Sequence, residues 1–195
     1  MTTHEGKVAF ITGANRGIGY ETANHLGELG ITVILGVRDL GKGQEAASKF
    51  QALGIQSEAI PYDANQPDSA KSACNYFDQK FGKLDILVNN AGISIEPLFG
   101  SNNSSSVSQQ VLHDTFQTNL FSVVALTQAL LPLIKKAPAG RIVNLSSILA
   151  SQTLHSMPNS PIDPAKAFAY NASKSALNAY TIHLAQELRD TPIKV

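Results

Sequence analysis

The stretch from Lys7 to Gly30 limits the possible folds more than any other part of the chain. Lys7-Val8-Ala9-Phe10-Ile11-Thr12 is a short apolar run of strand formers. It leads directly into Gly13-Ala14-Asn15-Arg16-Gly17-Ile18-Gly19, and a helical pattern over 20–29 then stops at Gly30. Strand, glycine turn and helix in that order form the opening half of a βαβ unit. The glycines allow a tight turn and let backbone N–H groups approach an anion at a helix N-terminus; a pyrophosphate fits that description. The spacing is G-x-x-x-G-x-G rather than the commoner G-x-G-x-x-G, so the glycines alone do not decide the ligand.

The same rhythm then repeats. Thr32 to Val37 reads as a second strand, 42–53 as a helix closed by Gly54, and 56–61 as a third strand. A helix over 68–81 is stopped by Gly82, and 84–88 is a fourth strand that runs into Asn89-Asn90-Ala91-Gly92. A long apolar helix over 107–135, kinked or ended at Pro132, precedes a fifth strand over 140–145 and Ser146-Ser147. A further helix spans 168–188, and Ile193-Lys194-Val195 looks like the opening of a sixth strand. Two segments read as loops: 94–108, with its run Ser101 to Ser106, and 148–169, with Pro158, Pro161 and Pro164. Strands alternating with helices predict an α/β fold: a Rossmann-type, doubly wound parallel β-sheet with helices on both faces, forming one domain over 1–195.

Bulk properties exclude several classes of function. Fifteen basic and fifteen acidic residues balance to zero, which argues against general affinity for nucleic acid or an anionic membrane. With Cys74 the only cysteine, no internal disulfide and no cysteine metal cluster is possible, and the five histidines lack metal-ligand spacing. Residues 1–6 are polar, and no run reads as long enough to span a bilayer. A cytoplasmic protein in a reducing compartment is the expectation, with no metal.

Chemistry-bearing residues fall at the strand C-termini, where doubly wound sheets bind ligands. Arg38 and Asp39 end the second strand, where a base would take the 2′-phosphate of NADP and an acid the 2′-hydroxyl of NAD. Arg16 in the glycine turn can reach the same phosphate, and two guanidinium groups suit a dianion. Asp39 also suits the N-cap of the next helix, so this local chemistry favours NADP. Asp63 follows the third strand and is either a turn residue or a partner for adenine. Asn119 is either a satisfied core asparagine or a group that holds a water.

Tyr170-Asn171-Ala172-Ser173-Lys174 lies in the last helix, where positions i and i+4 share a face. A cation about 4 Å from a phenolate is worth ~4 kcal/mol at an effective dielectric near 20, lowering a tyrosine pKa by roughly three units. Such a phenol gives a proton to a carbonyl oxygen and recovers it from an alcohol. An isolated Y-x-x-x-K is more often a surface tyrosine beside a solvated lysine, so the surrounding motifs decide.

Those motifs are Thr12-Gly13-Ala14-Asn15-Arg16-Gly17-Ile18-Gly19, Asn89-Asn90-Ala91-Gly92, Asn119, Ser147 and Tyr170 to Lys174. Through them the chain resembles a short-chain dehydrogenase/reductase over essentially its whole length, and within that family it is most similar to carbonyl-reductase-like members. The resemblance implies Tyr170 as general acid/base. It implies Lys174 as the residue that lowers the tyrosine pKa and holds the nicotinamide ribose, and Ser147 as the residue that orients the substrate oxygen. Asn119 would keep a relay water behind Lys174. Gly13, Asn15, Arg16, Gly17, Ile18 and Gly19 would form the phosphate turn, with Arg38, Asp63, Ala64 and Asn90 along the rest of the cofactor. Arg16 and Arg38 match NADP-preferring members, and Val37 stands where NAD-preferring members carry an acid. The implied activity is NADPH-dependent reduction of a ketone or aldehyde, or the reverse.

Two departures from the family pattern stand out. Residues 148–169 make the interval from Ser147 to Tyr170 longer than usual. Family members also continue past the sixth strand with a substrate-covering segment and a last strand, and both are expected to be missing from a chain that stops at Val195. Members often pair through the two long helices, although an insertion before the tyrosine accompanies monomers in some carbonyl reductases. Two other readings stay open: an NAD-linked alcohol dehydrogenase using Asp39, and a non-catalytic dinucleotide sensor or scaffold on the same fold.

Overall fold

The structure, a computed structural model, describes residues 4, 6–96, 102 and 104–195. Its centre is a sheet of five parallel strands: β1 (Val8–Thr12), β2 (Thr32–Val37), β3 (Ser57–Pro61), β4 (Ile86–Asn89) and β5 (Arg141–Asn144). Their order is β3-β2-β1-β4-β5. The chain steps outward from β1 to β3, then returns to place β4 on the other side of β1. That reversal leaves a crevice between the loops after β1 and β4, at the C-terminal edge of the sheet.

Helices α1 (Gly17–Glu28) and α2 (Leu40–Ala52) cover one face, while α3 (Ser69–Phe81), α5 (Ser122–Ile134) and α7 (Phe168–Glu187) cover the other. Strand alternation assigns the side chains. Ala9, Ile11, Val33 and Leu35 pack with Ala23, Ala46 and Phe50, whereas Val8, Phe10, Ile34 and Leu87 pack with Phe77, Leu126, Leu130 and Leu184. The Phe10 ring lies tilted at 5.1 Å from Phe77 and edge-on at 5.9 Å from Tyr62. Below the sheet, the buried Asp85 carboxylate accepts from Val8 N at 2.9 Å and from Lys83 Nζ at 2.8 Å, which fixes β1 against β4.

The first five predicted strands and the predicted helices form, and the structure differs from the sequence expectation in four respects. The long helix is α4 (Gln109–Phe116) and α5 joined by a π-helical turn, Gln117–Phe121, which widens the backbone ladder at Asn119. Pro132 lies inside α5, two residues before its end, so the ladder bond that its missing N–H forfeits falls at the helix terminus. This 26-residue run is by length and composition enough to cross a bilayer, contrary to the sequence expectation, but half of its apolar window is buried inside the fold. The 148–169 segment is not all loop: Ile148–Ala150 forms a 3₁₀ turn and Gln152–Ser156 a short helix, α6, started by Ser151 accepting from Leu154 N. The expected sixth strand is reduced to one bridge, Lys194 beside Arg141. Of the polar run 101–106, positions 101 and 103 lie outside the described residues, as do 97–100.

Candidate active site

The crevice at the reversal point is a cleft of about 780 Å³. One wall is the glycine turn. Gly13 has φ +66°, a conformation that disfavours any side chain, and helix α1 approaches so closely that a Cβ on Gly19 would lie 2.4 Å from Asn90 Nδ2. Asn90 returns the contact by donating to the carbonyls of Thr12 at 2.8 Å and Gly13 at 3.3 Å. The Thr12 hydroxyl accepts from Asn90 N at 3.1 Å and Ala91 N at 3.0 Å, so β1 and β4 end at one fixed level. Helix α1 starts after Arg16 with no side-chain cap and no acid in its first turn, leaving its first N–H groups free for an anion.

The far end of the cleft is basic. Arg16, Arg38, Lys42 and Lys49 line it, with Asp39 and Glu45 among them. Asp39 is engaged as the N-cap of α2, accepting from Lys42 N at 3.1 Å and facing Lys42 Nζ at 3.5 Å. That backbone hydrogen bond, more than the Lys42 charge, holds its carboxyl below the usual carboxylate range. Lys42 and Lys49 were not anticipated, although their seven-residue spacing on one helix face was a usable signal. Asp63 lines the cleft while its Oδ1 accepts from Asn65 N at 3.0 Å, so it is a turn residue and a cleft residue at once. Ala64 beside it gives its carbonyl to Gln117 Nε2 at 3.4 Å. Tyr62, Asn65, Ile93 and Thr118 also line the cleft and were missed. Asn15 and Gly17 line it too, and Ile18 is 64% exposed.

Beyond Gly92 the cleft meets the second cluster. A Cβ on Gly92 would sit 3.3 Å from Asn119 Oδ1 and 3.5 Å from Lys174 Nζ. Asn119, fully buried, clasps Ile93: its Oδ1 accepts from Ile93 N at 2.8 Å and its Nδ2 donates to Ile93 O at 2.9 Å and to Ser173 Oγ at 3.0 Å. Its side chain thus makes three hydrogen bonds within the protein. Lys174 Nζ lies 6.0 Å from the Tyr170 ring centre and donates to Leu145 O at 2.7 Å, which ties α7 to the end of β5. Burial pulls the Lys174 ammonium down to about 8. Two residues past Leu145, Ser147 accepts from Leu149 N at 3.2 Å to start the 3₁₀ turn, and its hydroxyl keeps its proton to donate. Ser175 Oγ donates to Ala150 O at 2.8 Å and holds that turn against α7. No described residue hydrogen-bonds the Tyr170 hydroxyl.

The short chain dehydrogenase family model matches residues 7–195. The chain belongs to this family. Short-chain dehydrogenase/reductase 1 of Saponaria officinalis is 38% identical over 159 residues, covering 72% of this chain and 53% of that protein. Carbonyl reductase [NADPH] 1 of Mus musculus is 37% identical over 148 residues, 75% of this chain and 51% of that protein. The chain thus spans about half the length of these two curated relatives. A metagenomic short-chain oxidoreductase solved in complex with NADP superposes with a TM-score of 0.83 at 31% identity, over 98% of this chain and 80% of that one. This oxidoreductase family acts on small-molecule substrates, and the sheet order and strand-end cleft described above are its Rossmann-type frame.

Proposed function

We propose that the protein is an NADP(H)-dependent oxidoreductase that interconverts a ketone or aldehyde and its alcohol. The observation that carries this reading is a cleft with an uncapped helix N-terminus and four basic side chains at one end, whose lining residue Gly92 lies beside Lys174 and Asn119. The open N–H groups of α1 and the Gly13 turn suit a pyrophosphate. Arg16 and Arg38, joined by Lys42 and Lys49, suit a 2′-phosphate. Asp63 and Ala64 would border the adenine, and Asn90 the middle of the cofactor. Asp39 is committed to capping α2, which weighs against the NAD-linked alternative.

NADPH, when bound, supplies the hydride. The protein's part is position and proton. Tyr170 gives its phenolic proton to the carbonyl oxygen, and Ser147 donates a second hydrogen bond to that oxygen. Lys174 stabilises the resulting phenolate, and Asn119 braces the loop beside Lys174 where a relay water would stand. All four groups are present, which favours an enzyme over a sensor. Phe121 and Ile182 are exposed on the long helices, consistent with a homo-oligomer formed through them. The lone cysteine and balanced charge suit a cytoplasmic setting, with no nucleic-acid or membrane partner.

The test compares the wild-type chain and Tyr170→Phe by NADPH and NADH titration and by carbonyl-dependent NADPH oxidation. Tighter NADPH than NADH binding is expected, with turnover falling about 10²-fold or more in Tyr170→Phe and NADPH affinity unchanged. Full turnover in Tyr170→Phe would remove the tyrosine from the mechanism, and tighter NADH binding would reverse the cofactor assignment.

A further inference from the structure

Helix α7 begins without a capping side chain of its own. Its N-cap is Ala167, and its first turn contains no acid. The two N–H groups that a capping side chain would satisfy belong to Ala169 and Tyr170. Both donate to Glu96 Oε2, at 2.7 and 3.3 Å. Glu96 lies 73 residues before Ala169, on the segment that follows β4.

We propose that Glu96 is a positioning residue: a remote N-cap that ties the rim of the cleft to the first turn of the helix presenting Tyr170. This rests on the reading of Tyr170 as the proton donor. Glu96 grips the backbone of the residue whose side chain does the chemistry. From the other side, Ser173 Oγ donates to Tyr170 O at 2.7 Å and accepts from Asn119, which clasps Ile93. Ile93 lines the cleft three residues before Glu96. The Tyr170 backbone is therefore held at its N–H and at its C=O by two routes that converge on one short loop, 93–96. A dinucleotide bearing on Ile93 loads both routes. A carboxylate suits the positive end of a helix and bonds N–H groups more strongly than a neutral acceptor does. Removing a cap that merely stabilised α7 would lower stability and leave kcat of the folded protein unchanged.

The experiment uses Glu96→Ala and Glu96→Gln in the full chain. It measures NADPH affinity by fluorescence titration, kcat and KM with 4-nitrobenzaldehyde as the probe carbonyl, and amide hydrogen exchange by NMR. In Glu96→Ala, kcat is expected to fall about tenfold or more, because small displacements of a reacting group are costly. NADPH affinity should stay within about threefold, since no cofactor contact is removed. Exchange at the Ala169 and Tyr170 amides should speed up while Phe77 and Leu130 stay protected. Glu96→Gln keeps an acceptor oxygen and should recover most of kcat. If Glu96→Ala does not fold, Glu96→Asp, one methylene too short to reach, must show the same loss of kcat.

A kcat within about twofold of wild type in a folded Glu96→Ala or Glu96→Asp overturns the inference, as does rapid exchange at both amides in the wild type. A wild-type chain that binds NADPH but reduces no carbonyl refutes the proposed activity instead. Exchange then decides the inference: NADPH-induced protection at Tyr170, lost in Glu96→Ala, upholds it, and protection indifferent to NADPH defeats it.

Discussion

Lys174 is 4% exposed, and its ammonium hydrogen-bonds one backbone carbonyl, at Leu145. Burial lowers it from 10.5 to about 8. Between those two values the unfolded chain holds a proton that the folded chain has released, so the Lys174 contribution to stability rises with pH across that window. Below it, the cost of burying the charge is fully present. Lys174→Met should therefore gain stability relative to wild type at pH 7.5, by up to about 3 kcal/mol, and lose that advantage near pH 10; paired urea midpoints check this. The basic end of the cleft gives a second test. Arg16→Ala and Arg38→Ala should each weaken NADPH binding about 10- to 100-fold and leave NADH binding nearly unchanged, because only the 2′-phosphate loses a charged partner. Equal losses for both cofactors would place the two arginines elsewhere on the ligand. At this scale the sequence was informative wherever a residue type had one use. The glycine turn closes against Asn90, Asp39 caps α2, and Lys174 Nζ lies 6.0 Å from the Tyr170 ring centre. Ile18, on α1, is 64% exposed and does not line the cleft.

Among the elements, the π-helical turn at Gln117–Phe121 matters most to the site. It brings Asn119 to Ile93, while Thr118 Oγ1 donates to Asn65 Oδ1 at 3.3 Å and Gln117 reaches Ala64. One local widening of a helix thus braces both the loop after β4 and the loop after β3. Asn119→Ala leaves the Ile93 N–H and C=O without their partners and should cost about 2–3 kcal/mol of stability. NADPH affinity should fall with it, measured by denaturant unfolding and titration on the same sample; a loss of stability with unchanged affinity would mean the cleft does not depend on this brace. The apolar periodicity of 107–135 announced a helix but not the widening, since its C-terminal half is apolar on most faces and hides a one-residue shift of phase. The same limit applied to 148–169. Its prolines mark breaks in the chain, yet the 3₁₀ turn and α6 form because Ser147 and Ser151 cap them and Ser175 anchors the first to α7.

For the whole molecule, the sheet is the platform and its two faces are separate cores. Phe77 is fully buried between Phe10, Tyr76 and Phe81, so Phe77→Ala should cost about 3–5 kcal/mol and lower the urea midpoint without changing the slope. An unchanged midpoint would mean that the α3 side of the sheet can collapse onto the void. The sequence by itself determined the strand–helix rhythm, the parallel sheet and the level at which chemistry gathers. These follow from backbone periodicity and from glycines at places that admit nothing else, and both are properties of neighbouring residues. Tertiary structure alone decided which groups meet across the sheet: Glu96 with the first turn of α7, Asn119 with Ile93, Lys174 with Leu145, and Lys42 and Lys49 with the arginines of the cleft. A hydrogen bond between residues 73 apart leaves no trace in local spacing. It exists only once the loop after β4 and the start of α7 are brought together by the burial of apolar faces elsewhere in the fold.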